Sequence, residues 1–158
     1  MHRTVLLLCL LFAVAFGCNC DVFPSTPKEK FCRSNFVGAL SIISKTGHTG
    51  DFPFVVYEAR SLGKKTIFKA SPIDLHGESL TISILTQKDL EIDPWTCGVN
   101  WLEEGKTYLL NGNVYHDELY INSCFEIDAQ NEWDHVPAGI KNSLRDRSYG
   151  KNCSTSLF

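Results

Sequence analysis

The stretch TYLLNGNVYHDELYINSC, residues 107–124, decides how this chain reads. Strand-forming residues run from Thr107 to Tyr115 and again from Glu118 to Cys124, with only His116-Asp117 between them. Two such runs separated by two residues predict a β-hairpin. Towards the N-terminus, Leu80, Ile82 and Ile84 alternate with Thr81 and Ser83, the pattern of a half-buried strand. Phe54–Ala59 and Lys65–Ala70 flank Gly63 and read as one long strand bent at that glycine. Phe36–Ser44 is apolar and β-branched, which adds another strand. Five short strands with turn residues between them predict a mainly β domain, either a small sandwich or a closed barrel. Short helices flank it. Thr26-Pro27-Lys28-Glu29 has the form of a capping box with proline at the first helical position, so a helix is expected through about Ser34. Pro137 opens a second helix of about ten residues, with Ile140 and Leu144 four apart and Gly150 as its stop.

The whole chain has 158 residues, enough for one domain with a tail, and no internal repeat or low-complexity run. At 44% hydrophobic and 21% charged residues it is neither a disordered tail nor a coiled coil. A net charge of −3 argues against a dedicated nucleic-acid binder.

Val5 to Phe16 is an unbroken apolar run behind His2 and Arg3. It is too short for a membrane-spanning helix and suits a secretory signal. Ala15-Phe16-Gly17 places small residues for a cut before Cys18, and Ala13-Val14-Ala15 offers a competing cut before Phe16. The expected division is a signal peptide over 1–17, a domain over 18–153 and a tail over 154–158. No second long apolar run follows, so the product is expected to be secreted and extracellular, with no membrane span. Removing the signal takes away Arg3 and Cys9 and leaves a net charge of −4. Six cysteines then remain, at 18, 20, 32, 97, 124 and 153. An even number in an exported chain predicts three disulfides, and counting leaves all fifteen pairings open.

Chemistry is sparse elsewhere. No metalloprotease helix motif, nucleophile elbow or phosphate loop occurs. His48, His76, His116 and His135 are scattered and fall mostly in turns. Glu103-Glu104 and Asp117-Glu118 read as solvated turns rather than as a general acid/base pair. Cys18-Asn19-Cys20 is too tightly spaced for a zinc knuckle. Lys64-Lys65 with Lys69 reads as a solvated strand edge, and no basic-aromatic stripe marks a nucleic-acid site. Asn152-Cys153-Ser154 is formally a glycosylation sequon, with a central cysteine that makes it a poor acceptor. The informative feature is Cys-x-Cys directly after the expected cut. A free α-amine titrates near 7.7–8.0, so it is readily available as a metal ligand at neutral pH. With its own carbonyl oxygen it forms a five-membered chelate.

These residues resemble a known family. Cys18-Asn19-Cys20, then Pro27, then Phe31-Cys32, is similar to the start of the tissue inhibitors of metalloproteinases. Cys97-Gly98-Val99 resembles their central Cys-Gly segment, and Gly105-Lys106-x-Tyr108-Leu109-Leu110-x-Gly112 the strand that follows. Ile121-Asn122-Ser123-Cys124, Trp133-Asp134, Lys141-x-Ser143-Leu144-x-x-Arg147 and Cys153 resemble the end of the inhibitory domain. The likeness covers nearly all of residues 18–153.

The resemblance implies a netrin-like module, a five-stranded OB-type Greek-key barrel with short flanking helices. It implies the pairs Cys18–Cys97, Cys20–Cys124 and Cys32–Cys153. It implies a non-enzymatic inhibitor of secreted, matrix-metalloproteinase-like zinc proteases of the extracellular matrix; a crosslinked single domain without an obvious apolar surface is expected to be a monomer. Such an inhibitor has no cofactor of its own; Cys18 would chelate the zinc of the bound protease. Asn19 would enter the primed-side pocket. Cys20 and Asp21 would follow along the cleft, while Trp95, Thr96, Cys97 and Gly98 would line its unprimed side. The loop Thr46–Phe52 would add exosite contacts. Two departures stand out. The family usually carries Thr or Ser where Asn19 stands, and desolvating an unpartnered amide costs roughly 1–3 kcal/mol, about one to two decades of affinity. The chain also resembles short members with one domain, without the second six-cysteine domain of vertebrate inhibitors. The alternative is a netrin-like extracellular binding or signalling module that does not inhibit.

Overall fold

The computed structural model describes residue 20 and residues 26–47, 54–70, 81–87, 97–128 and 132–153. The expected signal segment and the 154–158 tail lie outside the described residues. Among the described residues two helices, α1 (Pro27–Arg33) and α2 (Ala138–Arg145), accompany six strands. The strands are β1 (Phe36–Gly47), β2 (Phe54–Ser61), β3 (Ile67–Ala70), β4 (Thr81–Gln87), β5 (Thr107–Tyr115) and β6 (Glu118–Tyr120).

β1 organises the barrel because its two halves serve different neighbours. Phe36–Ser41 pair antiparallel with Gly112–Thr107 of β5. Leu40–Gly47 pair with Ser61–Val55 of β2, with a register shift between Ile42 and Ser44. Such a bulge bends a strand and increases its twist, which closure requires. β3 pairs with Phe36–Gly38 on the same edge of β1 that β2 follows. β2 and β3 are therefore one strand broken at Gly63, whose φ of 125° is open to glycine, and by the 3₁₀ turn Lys64–Thr66. β2 continues to β4, β4 to β6 in parallel, and β6 to β5. Counting β2 and β3 together, five strands close a mainly β barrel of the OB type.

Alternation decides what fills it. Phe36, Leu40 and Ile42 of β1, Tyr57 of β2, Ile84 of β4, Leu110 and Val114 of β5 and Leu119 of β6 share the barrel interior. Val37 and Leu109, one residue out of phase, join Phe31, Ile127, Val136 and Leu144 in a second cluster under the two helices. β1 and β5 are thus covered on both faces, which is why Leu109-Leu110 occur side by side. Each fully buried side chain contributes about 1.5–3 kcal/mol of transfer free energy. The capping box is formed: Thr26 Oγ1 accepts from Glu29 N at 3.2 Å, and Glu29 Oε2 accepts from Thr26 N at 3.0 Å.

β1 runs on to Gly47 rather than ending at Ser44, and β3 starts at Ile67 rather than Lys65, after the 3₁₀ turn; two further boundaries differ more. The hairpin is present, with His116 and Asp117 at φ 50° and 64°, the left-handed pair of a type I′ turn. Its second strand ends at Tyr120, not Cys124: Asn122 Oδ1 accepts from Cys124 N at 2.9 Å and starts the 3₁₀ turn Ser123–Phe125. α2 stops at Arg145 rather than running to Gly150. Asp146 Oδ1 draws in Ser148 N at 2.8 Å, and Arg147 takes the left-handed conformation at φ 60°. Among the described residues no helix is long and apolar enough to cross a membrane.

Candidate functional site

Two disulfides tie the N-terminal part to the back half: Cys20–Cys124 and Cys32–Cys153, each with Cα atoms 5.3 Å apart. Both are pairs that the resemblance implies. The Cys97 sulfur lies within 4.8 Å of both sulfurs of the first bridge. Cys20 and Cys124 are consumed in a disulfide, so this trio is a crosslinked core and not a thiolate metal site.

The segment carrying Cys97 is held from three sides. Ser123 N and Ser123 Oγ donate to Cys97 O at 2.9 and 3.2 Å, fixing it beside Cys124. Val99 N donates to Thr86 Oγ1 of β4 at 2.7 Å, and Tyr57 Oη of β2 donates to Val99 O at 3.0 Å. Burial pushes the Tyr57 phenol up to about 12, so it keeps its proton and remains a donor. The Lys45 ammonium of β1 donates to Asn100 O. Cys97 and Gly98 are buried, while Cys20 is half-buried.

The turn bearing Cys124 is fixed in turn by Asn111 of β5, which is fully buried. Its Nδ2 donates to Ser34 Oγ at 2.9 Å and to Phe125 O at 2.7 Å. Its Oδ1 accepts from Ile127 N at 2.9 Å. Asn111, Tyr57 and Thr86 were not among the sequence candidates. Asn111 left a trace as a polar residue within an apolar strand, but its partners come from two separate segments, one at Ser34 and one at Phe125–Ile127.

Of the expected contact residues, Cys20, Cys97 and Gly98 fall within the described part, and the structure brings the two cysteines together. Cys18, Asn19, Asp21, Trp95 and Thr96 lie outside the described residues, as does most of the loop Thr46–Phe52. His48 and His76 lie outside as well. Of the acidic pairs, Glu104 and Asp117 lie in turns, Glu103 directly precedes its turn and Glu118 opens β6. Glu104 Oε1 accepts from Lys45 N at 2.9 Å, Glu103 pairs with Lys106 at 3.1 Å, and Glu118 Oε2 accepts from Tyr120 Oη at 3.0 Å. His116 and His135 are exposed.

A family model for tissue inhibitor of metalloproteinase matches residues 17–158, essentially the whole chain. The barrel, both described disulfides and the clustering of Cys20, Cys97 and Cys124 agree with that match. Members of this family are secreted protein inhibitors of metalloproteinases and not enzymes. This chain belongs to the tissue inhibitor of metalloproteinase family.

Proposed function

We propose that the mature protein begins at Cys18 and inhibits secreted zinc metalloproteinases by presenting the α-amine and carbonyl oxygen of Cys18 to the catalytic zinc. The observation that carries the reading is the position of Cys20: two residues from the chelating group, it is bonded to Cys124 and lies beside the Cys97 sulfur. A third bridge, Cys18–Cys97, would fix both ends of the Cys-x-Cys wedge. A wedge held this way has little conformational freedom left to lose when it enters a protease cleft. Displacing the zinc-bound water removes the nucleophile that the protease needs. Asn19 then occupies the adjoining pocket, flanked by Asp21 and by Trp95, Thr96 and Gly98. The inhibitor acts as a monomer and supplies no metal of its own.

The test uses residues 18–158, with an authentic N-terminus, titrated against a panel of matrix metalloproteinase catalytic domains. Stoichiometric inhibition is expected, and one alanine added before Cys18 should abolish it without changing the circular dichroism spectrum. Equal inhibition by the extended form refutes chelation. No inhibition at micromolar concentration across the panel refutes the function. N-terminal sequencing of secreted material separates the alternative: a start at Phe16 masks the amine and favours a binding module that does not inhibit.

A further inference from the structure

A cleft of about 770 Å³ opens between α1, β3 and the β5–β6 hairpin. Its size is in the range of sites that hold small ligands. Among the described residues, none of Cys20, Cys97 and Cys124 lines it.

Its most unusual group is Lys69. The ammonium is half-buried and donates to Phe31 O at 3.2 Å and Cys32 O at 3.1 Å, the carbonyls at the end of α1. It lies 5.3 Å from the centre of the Phe31 ring. An ammonium has three N–H donors, and these carbonyls take two. No carboxylate among the described residues pairs with it, and burial lowers its pKa from the ordinary lysine value. The nearby acid on the cleft wall, Glu29, is engaged in the α1 capping box. A cation in this state gains from an anion that arrives with the ligand. Arg33 lines the same cleft.

The rest of the lining suits a sugar ring. Tyr115 is 59% exposed and packs edge-on to Tyr120, with ring centres 5.8 Å apart. An exposed aromatic face offers a platform for the C–H face of a pyranose, an arrangement that combines apolar contact with a wet rim. Asn122 uses its Oδ1 on Cys124 N, which leaves its amide N–H groups as donors on the cleft wall. A peptide strand finds only a short edge on the hairpin wall. β6 is paired on both sides, and β5 is unpaired by β1 only beyond Gly112, where Val114 N already donates to Asn35 Oδ1 at 2.7 Å.

We propose that this cleft binds an acidic sugar unit, its anionic group on Lys69 and its ring against Tyr115 and Tyr120. The site operates independently of the Cys18 wedge. The unit could come from a free monosaccharide or from a glycan chain, and the test distinguishes them.

The test is a ¹H–¹⁵N NMR titration of residues 18–158 at 0.15 M salt. Probes are hyaluronan tetrasaccharide, chondroitin sulfate tetrasaccharide, sodium glucuronate, cellotetraose, sodium sulfate and an acidic tetrapeptide. Saturable shifts at Tyr115, Tyr120 and Asn122 are expected with at least one acidic oligosaccharide, at sub-millimolar Kd. Glucuronate as tight as the oligosaccharides assigns the site to the free sugar, and at least tenfold weaker binding assigns it to a chain. Lys69→Gln should weaken binding at least tenfold, and Tyr115→Ala, at an exposed position with little risk to folding, at least fivefold. Both variants should inhibit proteases as well as the unchanged protein does, so failure here and failure of the wedge are separate results. Equal binding of cellotetraose overturns the role of the anion, and equal shifts with sulfate alone overturn the role of the ring. Preferred binding of the tetrapeptide, unaltered binding by the Tyr115→Ala variant, or no binding of any acidic sugar at millimolar concentration overturns the proposal.

Discussion

Replacing Asn111 by leucine keeps the γ-branched shape and the number of side-chain heavy atoms, and removes every polar contact the side chain makes. Three hydrogen bonds go, to Ser34 Oγ, Phe125 O and Ile127 N. At a net value of about 1 kcal/mol each, that is a loss of about 3 kcal/mol. The buried Ile127 amide is left without its acceptor, which raises the total to about 3–5 kcal/mol. In a domain of this size the melting temperature should fall by roughly 10–15 °C. The measurement is urea unfolding followed by tryptophan fluorescence, since Trp133 stacks on Phe68 beneath the helices. Ser34→Ala, which removes a single partner, should cost about 1 kcal/mol in the same assay. Asn111→Leu should also weaken protease inhibition at temperatures where the protein remains folded, because the loosened turn carries Cys124 and through it Cys20. An Asn111→Leu protein within 1 kcal/mol of the original would refute the role given to this network.

Gly112→Ala places a Cβ 2.1 Å from Tyr120 O, a clash with backbone that calorimetry should register as a loss of roughly 2–3 kcal/mol. Gly139→Ala, with nothing within 4 Å of the new Cβ, should instead stabilise α2 by about 0.5 kcal/mol. The Tyr57 phenol ionises near 12 in the folded protein against about 10 unfolded, so its contribution is complete below pH 10 and is lost as pH rises towards 12. Tyr57→Phe should be less stable at neutral pH and should lack that alkaline slope in denaturant titrations from pH 8 to 11.5. Asn19→Thr should tighten inhibition by about one to two decades, since it removes the roughly 1–3 kcal/mol amide desolvation; an unchanged inhibition constant would show that the asparagine is partnered in the protease pocket.

Local features were the legible ones. The β5–β6 hairpin is visible because alternation and a two-residue turn are written within eighteen consecutive residues. The α1 capping box and the break at Gly63 are equally local. The end of α2 was not legible, because the residue that takes the left-handed conformation is Arg147, with no glycine to mark it. Nor was the end of β6, which is set by the Asn122 cap and by the three-residue parallel pairing with β4. That pairing joins strands more than thirty positions apart, and nothing in either strand names the other. It is also what separates a closed barrel from a sandwich, so the residues alone left the two open. The same holds at the candidate site. The cysteines are plain in the sequence, and the resemblance implies their partners, but Asn111, Tyr57 and Thr86 act through segments that meet only after folding.

The two described crosslinks interlock along the chain, from 20 to 124 and from 32 to 153. Any backbone break between residues 33 and 123 lies inside both loops. A molecule nicked there by a protease stays one covalent body, its Cys20 still bolted to Cys124, and migrates as a single band until a reductant is added. Hydrolysis of an exposed loop therefore does not by itself dismantle the protein, a useful property in one whose family lives among proteases.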